Sequence, residues 1–280
     1  MLELGKIQPL VVVRIEDFGA YLGESRAAGP DARILLPKKE VPAETRMGDT
    51  ITVFLYLDSE DRRIATTTKP LLVLGEVARL KVREVTKIGA FLDWGLPKDL
   101  FLPFAEQTRR VQKGDEVLAA LYVDKSGRLA ATMKLYRYLR SNSPYRIDDE
   151  VSATVYEYVP NFGSFAAVDD MYSARIPKKE APDGLPVGET GRYRVTFVHE
   201  DGKLDLSARK KAYEMLDEDG AKILEIIRKD YAGELAFDDK ADPEEIRRVF
   251  GLSKAAFKRA VGRLYKEKKI RLSEGRVSVL

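Results

Sequence analysis

The chain has 280 residues, enough for about two domains of typical size, or for more if they are small. It has no cysteine and a single histidine, His199, which effectively excludes disulfide frameworks, catalytic triads and zinc sites. The net charge is +3, and the sequence shows no long uncharged apolar run, signal peptide or Gly-rich phosphate loop. We therefore expect a cytoplasmic protein that spans no membrane, needs no cofactor or metal and is not an enzyme.

A short aromatic–glycine stretch occurs three times in the first three quarters of the chain. The copies are FGAYLG at 18–23, IGAFLDWG at 88–95 and FGSFAAVDD at 162–170. Each copy follows an apolar strand pattern and precedes a segment that ends in proline. Each repeat then reaches a glycine turn and two strands joined by a hairpin turn, at SEDRR, DKSGR or HEDGK. The pattern predicts three five-stranded barrels, at residues 1–68, 69–140 and 141–212.

The last segment, residues 213–280, has helical periodicity instead. EDGAKILEIIRKDY spaces its isoleucines as a helix does, and ELAFDD reads as a short strand. A second helix opens with Asp242 as its N-cap, Pro243 at its first position and Glu245 completing a capping box, and it ends at Gly251. A third helix starts at Ser253, and IRLSEGRVSVL reads as a hairpin. Helix, strand, helix, helix and hairpin is the order of a winged helix.

The repeats resemble the S1 RNA-binding domain, which is an OB-fold barrel, and the closest copy is KIGAFLDWG…DLFLPFAEQ…VQKGDEVLAALYVDKSGRLAATMK. Three such repeats followed by a winged helix resemble the conserved virulence factor B family of bacterial RNA-binding proteins over essentially the full chain. The resemblance implies a multidomain, mainly β fold with a C-terminal α+β domain. It also implies single-stranded RNA as the partner and a role in post-transcriptional control that affects virulence traits.

By this resemblance, RNA bases stack on exposed aromatic side chains of the barrels while basic side chains follow the phosphates. The stacking positions fall on Phe18, Tyr21, Phe91, Phe162 and Phe165, with Trp94 and Phe104 expected to compensate for Ile88 in the second repeat. Proline occupies the position after the third strand where many S1 domains have a histidine or an aromatic residue. We expect the lysines that follow to contact phosphates instead, namely Lys38, Lys39, Lys178 and Lys179.

Other aromatic residues fall in the hairpin strands of the repeats. We assign Phe54, Tyr56, Tyr122 and Phe197 to the barrel cores, and we expect His199, near a hairpin turn, to be exposed and inert. For any single stacking candidate, the competing interpretation is that its ring fills a barrel core.

The third predicted helix, SKAAFKRAVGRLYKEKK, separates basic from apolar residues. Residues 247–276 contain 11 basic and 2 acidic side chains. One side of the helix would dock through Phe257, Val261 and Leu264, and the other would contact nucleic acid. The predicted contact residues are Lys254, Lys258, Arg259, Arg263 and Lys266. The competing interpretation is a solvated charged face, which is the commoner fate of lysines.

Two other functions stay open at this point. A DNA-binding transcriptional regulator would read duplex DNA with the winged helix and would be a dimer. A docking factor on the ribosome or RNA polymerase would use its barrels to bind protein. The linker LYRYLRSNSPYR between the second and third repeats predicts two halves that move relative to each other, with RNA-binding activity separable in residues 141–280.

Overall fold

A computed structural model describes residues 2–208, 212–236, 241–273 and 275–280. The chain forms two compact units, Met1–Ala208 and Arg209–Leu280. The first holds the three repeats and the second holds the helical segment. Among the described residues, no helix is long and apolar enough to cross a membrane. The predicted mainly β fold with a C-terminal α+β domain is confirmed, while the four domain boundaries stay a prediction.

Fifteen strands build the first unit, five in each repeat. The first repeat contains β1 (Ile7–Glu16), β2 (Gly19–Gly23), β3 (Ile34–Pro37), β4 (Thr50–Leu57) and β5 (Arg63–Thr66). The second contains β6 (Val77–Val85), β7 (Gly89–Asp93), β8 (Leu100–Pro103), β9 (Glu116–Val123) and β10 (Leu129–Thr132). The third contains β11 (Glu150–Val159), β12 (Gly163–Val168), β13 (Tyr172–Pro177), β14 (Thr190–Val198) and β15 (Leu204–Ser207).

The first and third repeats are closed barrels, with strand orders β1-β2-β3-β5-β4 and β11-β12-β13-β15-β14. A short parallel pairing closes each of them, with Leu35 opposite Ile64 in the first barrel and Arg175 opposite Asp205 in the third. The second repeat is a five-stranded sheet of order β10-β9-β6-β7-β8. Its edge strands β8 and β10 lie against each other without a hydrogen-bonded ladder, so this barrel closes through side-chain packing.

The glycine of each aromatic–glycine stretch is required by close contact between two strands. A Cβ atom at Gly19, Gly89 or Gly163 would lie 2.2, 2.5 or 2.2 Å from a backbone oxygen of the neighbouring strand. Only glycine allows this approach. A bulge lies in the preceding strand, where the register shifts between Val12 and Arg14.

A glutamate ties the turn after each third strand to the end of the fifth strand. The hydroxyl of Thr66 donates to Glu40, that of Thr132 donates to Glu106 at 2.6 Å, and that of Ser207 donates to Glu180 at 2.6 Å. Each glutamate ends a single turn of 3-10 helix or its equivalent. The repeated bond fixes this turn, which carries the predicted phosphate-binding lysines in the first and third barrels.

Strand β4 packs on both of its faces and joins the first two barrels. Val53 and Leu55 face the core of the first barrel. Phe54 and Tyr56 point the other way, into the core of the second barrel, and the Phe54 ring lies 5.6 Å from that of Trp94 between ring centroids. The predicted core positions of Phe54 and Tyr56 are therefore confirmed, but the core that they enter is that of the neighbouring barrel.

The segment between the second and third barrels is packed rather than free. Leu135 and Leu139 are buried in a cluster with Leu118 of β9 and Tyr156 of β11. Beside this cluster, the guanidinium of Arg79 in the second barrel donates two hydrogen bonds to Asp170 in the third, at 2.6 and 2.8 Å. The prediction that this linker separates two mobile halves is wrong, because its apolar side chains form part of a core shared by both barrels.

The second unit follows the predicted winged-helix order. Its elements are α1 (Ala212–Asp230), β16 (Glu234–Leu235), α2 (Pro243–Phe250), α3 (Lys254–Lys266), β17 (Ile270–Ser273) and β18 (Arg276–Val279). Asp242 caps α2 by accepting from the backbone N–H of Glu244 at 2.7 Å, and Gly251 ends that helix in a left-handed conformation. Ser253 caps α3 by accepting from the N–H of Ala256 at 3.2 Å. The strands β16, β18 and β17 form one small sheet in that order.

Leu135→Ala should lower the free energy of unfolding of the first unit by about 2–5 kcal/mol, because it leaves a cavity in the core shared by the second and third barrels. Leu71→Ala is the matched control, since Leu71 is exposed and should change stability by no more than about 0.5 kcal/mol. Urea unfolding followed by Trp94 fluorescence measures both variants. Equal, small effects would mean that the linker does not belong to a shared core.

Candidate nucleic-acid interface

An outward-facing row of side chains crosses all five strands of the third barrel. In register, Glu157 lies opposite Phe165, Phe165 opposite Arg175, Arg175 opposite Asp205, and Asp205 opposite Phe197. The row places two aromatic rings on either side of an arginine–aspartate pair. Bases stack on such rings while arginine contacts phosphates or base edges, so the row has the chemistry of a face that binds single strands.

Phe197 belongs to this face, and its predicted position in the core is wrong. Its side chain is 52% exposed, whereas Val195, two residues earlier, is fully buried. Strict alternation would put both residues on the same face of the strand. A register shift between Val195 and Phe197 breaks the alternation and turns Phe197 outward.

A cleft of about 230 Å³ opens on this face, next to the row. We call it the third-barrel cleft and define it by Tyr136, Phe165, Arg175, His199, Lys203 and Asp205. Phe165, predicted as a stacking residue, is half-buried and forms one wall. His199 is half-buried, so the predicted exposed and inert position is wrong: its ring packs against that of Phe197 at 5.0 Å, and its Nε2 lies 3.2 Å from Asp205.

Two cations in the third-barrel cleft are held in place by carboxylates. Nη2 of Arg175 donates to both carboxylate oxygens of Asp205 at 3.0 Å. Nζ of Lys203 lies 2.8 Å from Asp201 and 3.3 Å from the Tyr136 hydroxyl. Hydrogen bonds to Asp201 and then to Tyr136 raise the pKa of Lys203 above its ordinary value, so this lysine stays charged. The cleft therefore combines an apolar wall with oriented donors that suit phosphate or base oxygens.

The remaining candidates of the third repeat lie at the edge of the same face. Phe162 precedes β12 and is 56% exposed. Gly163 pairs with Pro177, which brings Phe162 next to the turn that begins at Lys178. Lys178 and Lys179 are both exposed on that turn. The structure thus brings all four predicted residues of this repeat to one barrel face.

The second barrel presents a smaller set of rings than expected. Phe91 lies 5.3 Å from Phe101, a half-buried ring that sequence reasoning missed although it alternates with the buried leucines of LFLP. Both rings line a pocket of about 300 Å³ at the junction with the first barrel. Phe104 is half-buried, and the guanidinium of Arg110 covers its ring at 4.4 Å.

Trp94 does not offer a stacking surface, contrary to our expectation. Its side chain is 3% exposed and packs between Phe54 and Tyr56 of the first barrel. Its indole N–H donates to the backbone oxygen of Lys98 at 2.6 Å. An indole that is enclosed in a core and already hydrogen-bonded cannot stack on an RNA base.

The cations of this second pocket are largely engaged in joining barrels. Arg128 and Lys98 lie 2.5 and 3.3 Å from Asp61, a residue of the first barrel. Asp99 and Asp124 also line the pocket. The second repeat is the most basic by residue count, but this pocket has three carboxylates against two cations that are tied to the first barrel, whereas the third-barrel cleft has two carboxylates against two cations of its own barrel.

The first barrel keeps only one end of its face open. Phe18 is 55% exposed and meets Tyr21 edge to face, with the ring centroids 6.1 Å apart. Elsewhere on the outer surface of the first barrel, Ile64 and Tyr56 pack against the second barrel. Lys38 and Lys39 are exposed on the turn after β3.

Helix α3 has the two-sided arrangement that the sequence predicts. Its buried side is formed by Phe257, Ala260, Val261 and Leu264. The exposed side presents Lys258, Arg259 and Lys266 around the small residues Ala255 and Gly262. Arg263 and Lys254 contribute less to this side, because Arg263 bonds to Glu267 at 2.8 Å and Lys254 is half-buried.

Comparisons with known proteins agree with this architecture. A family model described as the CvfB-like winged helix domain matches residues 221–278, and the S1 domain model matches residues 4–68 and 74–134. The Conserved virulence factor B of Staphylococcus epidermidis strain ATCC 12228 is 30% identical over 288 residues, which cover 99% of this chain and 94% of that protein. The chain belongs to the conserved virulence factor B family. The winged helix and the S1 type of the first two repeats are thereby confirmed, and both are nucleic-acid-binding domain types of non-enzymatic kinds.

Other members of the family and a solved structure show the same full-length match. The Conserved virulence factor B of Staphylococcus saprophyticus is 29% identical over 285 residues, covering 99% of this chain and 94% of that protein. A crystal structure of a multidomain protein with nucleic acid binding domains from Streptococcus pneumoniae is 25% identical with a TM-score of 0.51. That match covers 99% of this chain and 98% of the other.

The burial of Trp94 can be tested directly, because it is the only tryptophan in the chain. We expect a blue-shifted emission that acrylamide quenches weakly, since the indole lies in a core. Adding single-stranded RNA should leave this emission unchanged. Strong quenching by acrylamide, or by RNA at stoichiometric amounts, would show that Trp94 is accessible after all.

Proposed function

We propose that this chain binds single-stranded RNA through the third-barrel cleft and helix α3, without chemical catalysis, to regulate gene expression after transcription. The observation that carries the proposal is the row across the third barrel, where Phe165 and Phe197 flank the Arg175–Asp205 pair. The relatives' name connects the family with virulence, so control of virulence traits is part of the proposal.

Single strands suit this face better than duplexes because its rings need unstacked bases. Stacking contributes roughly 1–3 kcal/mol per base, so the rings of one barrel can supply useful affinity from a few nucleotides. Asp205 fixes the orientation of the Arg175 guanidinium by accepting from its Nη2. The Nη1 group is therefore available to donate to a base or phosphate oxygen. Within the first unit, the third barrel leaves Phe162 and Phe197 exposed, whereas Tyr56 of the first barrel and Trp94 of the second are buried in a shared core.

Helix α3 supports the same function through phosphate contacts. Its exposed side presents Lys258, Arg259 and Lys266, and its apolar side is buried in the core of the winged helix. Such contacts neutralise phosphates without reading base identity, and they release counterions from the nucleic acid. We therefore expect α3 to add affinity that depends on salt and little on sequence.

Phe162→Ala combined with Phe165→Ala should weaken binding of a labelled single-stranded RNA by about tenfold or more, because two stacking rings are lost. Fluorescence anisotropy with the full chain measures this change. Phe18→Ala is the matched control, because Phe18 is as exposed as Phe162 but lies in the first barrel, whose face is partly covered. Its expected effect is smaller. Unchanged RNA affinity in the double variant would contradict the proposal.

Lys258→Ala with Arg259→Ala should weaken RNA binding and flatten its salt dependence. Each lost phosphate contact should reduce the slope of log affinity against log salt by about 0.7 for a single strand. The same salt series on a matched DNA duplex tests the rival function. Tighter binding to the duplex, lost in this variant but kept in the phenylalanine variant, would identify a DNA reader and overturn the proposal.

A further inference from the structure

Tyr136 reaches the third-barrel cleft from outside the third barrel. It lies between β10 and β11, in the segment that joins the second barrel to the third. The centroids of the Tyr136 and Phe165 rings lie 5.9 Å apart, and the ring planes meet at 89°. Tyr136 lines the cleft together with Arg175 and Lys203. It is nevertheless 51% exposed, so half of this aromatic surface faces solvent.

The backbone on both sides of Tyr136 is fixed. Leu135 before it and Leu139 after it are buried in the core shared by the two barrels. The N–H of Tyr138 donates to the oxygen of Leu135 at 2.8 Å, which closes a turn around Tyr136. The ring is therefore presented from a rigid support, which reduces the entropy that a ligand must offset when it binds.

Lys203 links Tyr136 to the charged part of the cleft. Its Nζ lies 5.2 Å from the centroid of the Tyr136 ring and 3.3 Å from the hydroxyl oxygen. A nucleotide whose base contacts the ring would therefore find a cation within reach of its phosphate. Aromatic surface beside a fixed cation is the combination that single-stranded nucleic acid requires.

We propose that Tyr136 is an RNA-binding residue, a second stacking platform that completes the third-barrel cleft beside Phe165. This inference rests on the proposed function and extends it to a residue that the barrel itself does not contain. Because the two rings are perpendicular, a base that stacks on one of them meets the other side-on. The cleft therefore needs the segment before residue 141, and a fragment of residues 141–280 lacks one of its walls.

The test compares three substitutions in the full chain by anisotropy with single-stranded RNA. Tyr136→Ala and Tyr136→Leu should each weaken binding by roughly 5- to 30-fold, because both remove the aromatic ring. Tyr136→Phe keeps the ring and should stay within about threefold of the unsubstituted protein, since it loses only the hydroxyl contact with Lys203. The leucine variant separates stacking from packing, because it retains apolar volume against Phe165.

Ile147→Ala provides the matched control. Ile147 lies in the same inter-barrel segment and is exposed, but it does not line the third-barrel cleft. This variant should bind RNA as the unsubstituted protein does. Thermal unfolding of all four variants checks that the shared core is intact.

The outcomes distinguish failure of the inference from failure of the proposed function. If the unsubstituted chain binds no single-stranded RNA, the proposed function fails and the inference with it. If the chain binds RNA and Phe165→Ala weakens binding, but the alanine and leucine variants of Tyr136 do not, the inference alone is wrong. Tighter binding by Tyr136→Ala would also overturn it, because the ring would then be covering Phe165 instead of extending it.

Discussion

The contact between Phe54 of the first barrel and Trp94 of the second determines much of the first unit. A small barrel fills its interior with one set of alternating side chains, so large apolar residues on the outside must find another partner. In β4 that partner is the neighbouring barrel, which buries Tyr56 and shields Ile64. The repeats are therefore similar in fold but differ in which side chains stay exposed. In the first barrel, the exposed part of the face is the end that carries Phe18.

Packing between the barrels also determines which charged side chains pair across a barrel junction. Cations of the second barrel, Arg128 and Lys98 among them, pair with Asp61 of the first barrel, and Arg79 pairs with Asp170 of the third. These ion pairs fix barrel junctions and leave fewer donors for a nucleic-acid backbone. In the third barrel, Arg175 and Lys203 pair with Asp205 and Asp201 of the same barrel, so both cations stay on its outer face beside aromatic rings. Its overall composition is less basic, yet its surface is the better candidate for RNA.

Local sequence patterns are sufficient to predict the fold. The repeated glycines, the hairpin turns and the capped helices each depend on contacts that a short stretch specifies, such as the Asp242 and Ser253 caps. Residue exposure was less predictable because it depends on packing between repeats and on bulges. Trp94 lies in an inter-barrel core, and a register shift turns Phe197 outward. No sequence pattern marks Tyr136 as a binding residue, because the segment that contains it has the composition of a linker.

Photo-crosslinking would test the central claim most directly. A short RNA containing 4-thiouridine would be bound to the full chain, irradiated and mapped by mass spectrometry of the crosslinked peptides. We expect crosslinks in the third barrel, around Phe162–Phe165 and Phe197–Lys203, together with contacts along α3. Crosslinks confined to the first two barrels, or to α3 with none in the third barrel, would contradict the assignment of the third-barrel face as the principal RNA-binding surface.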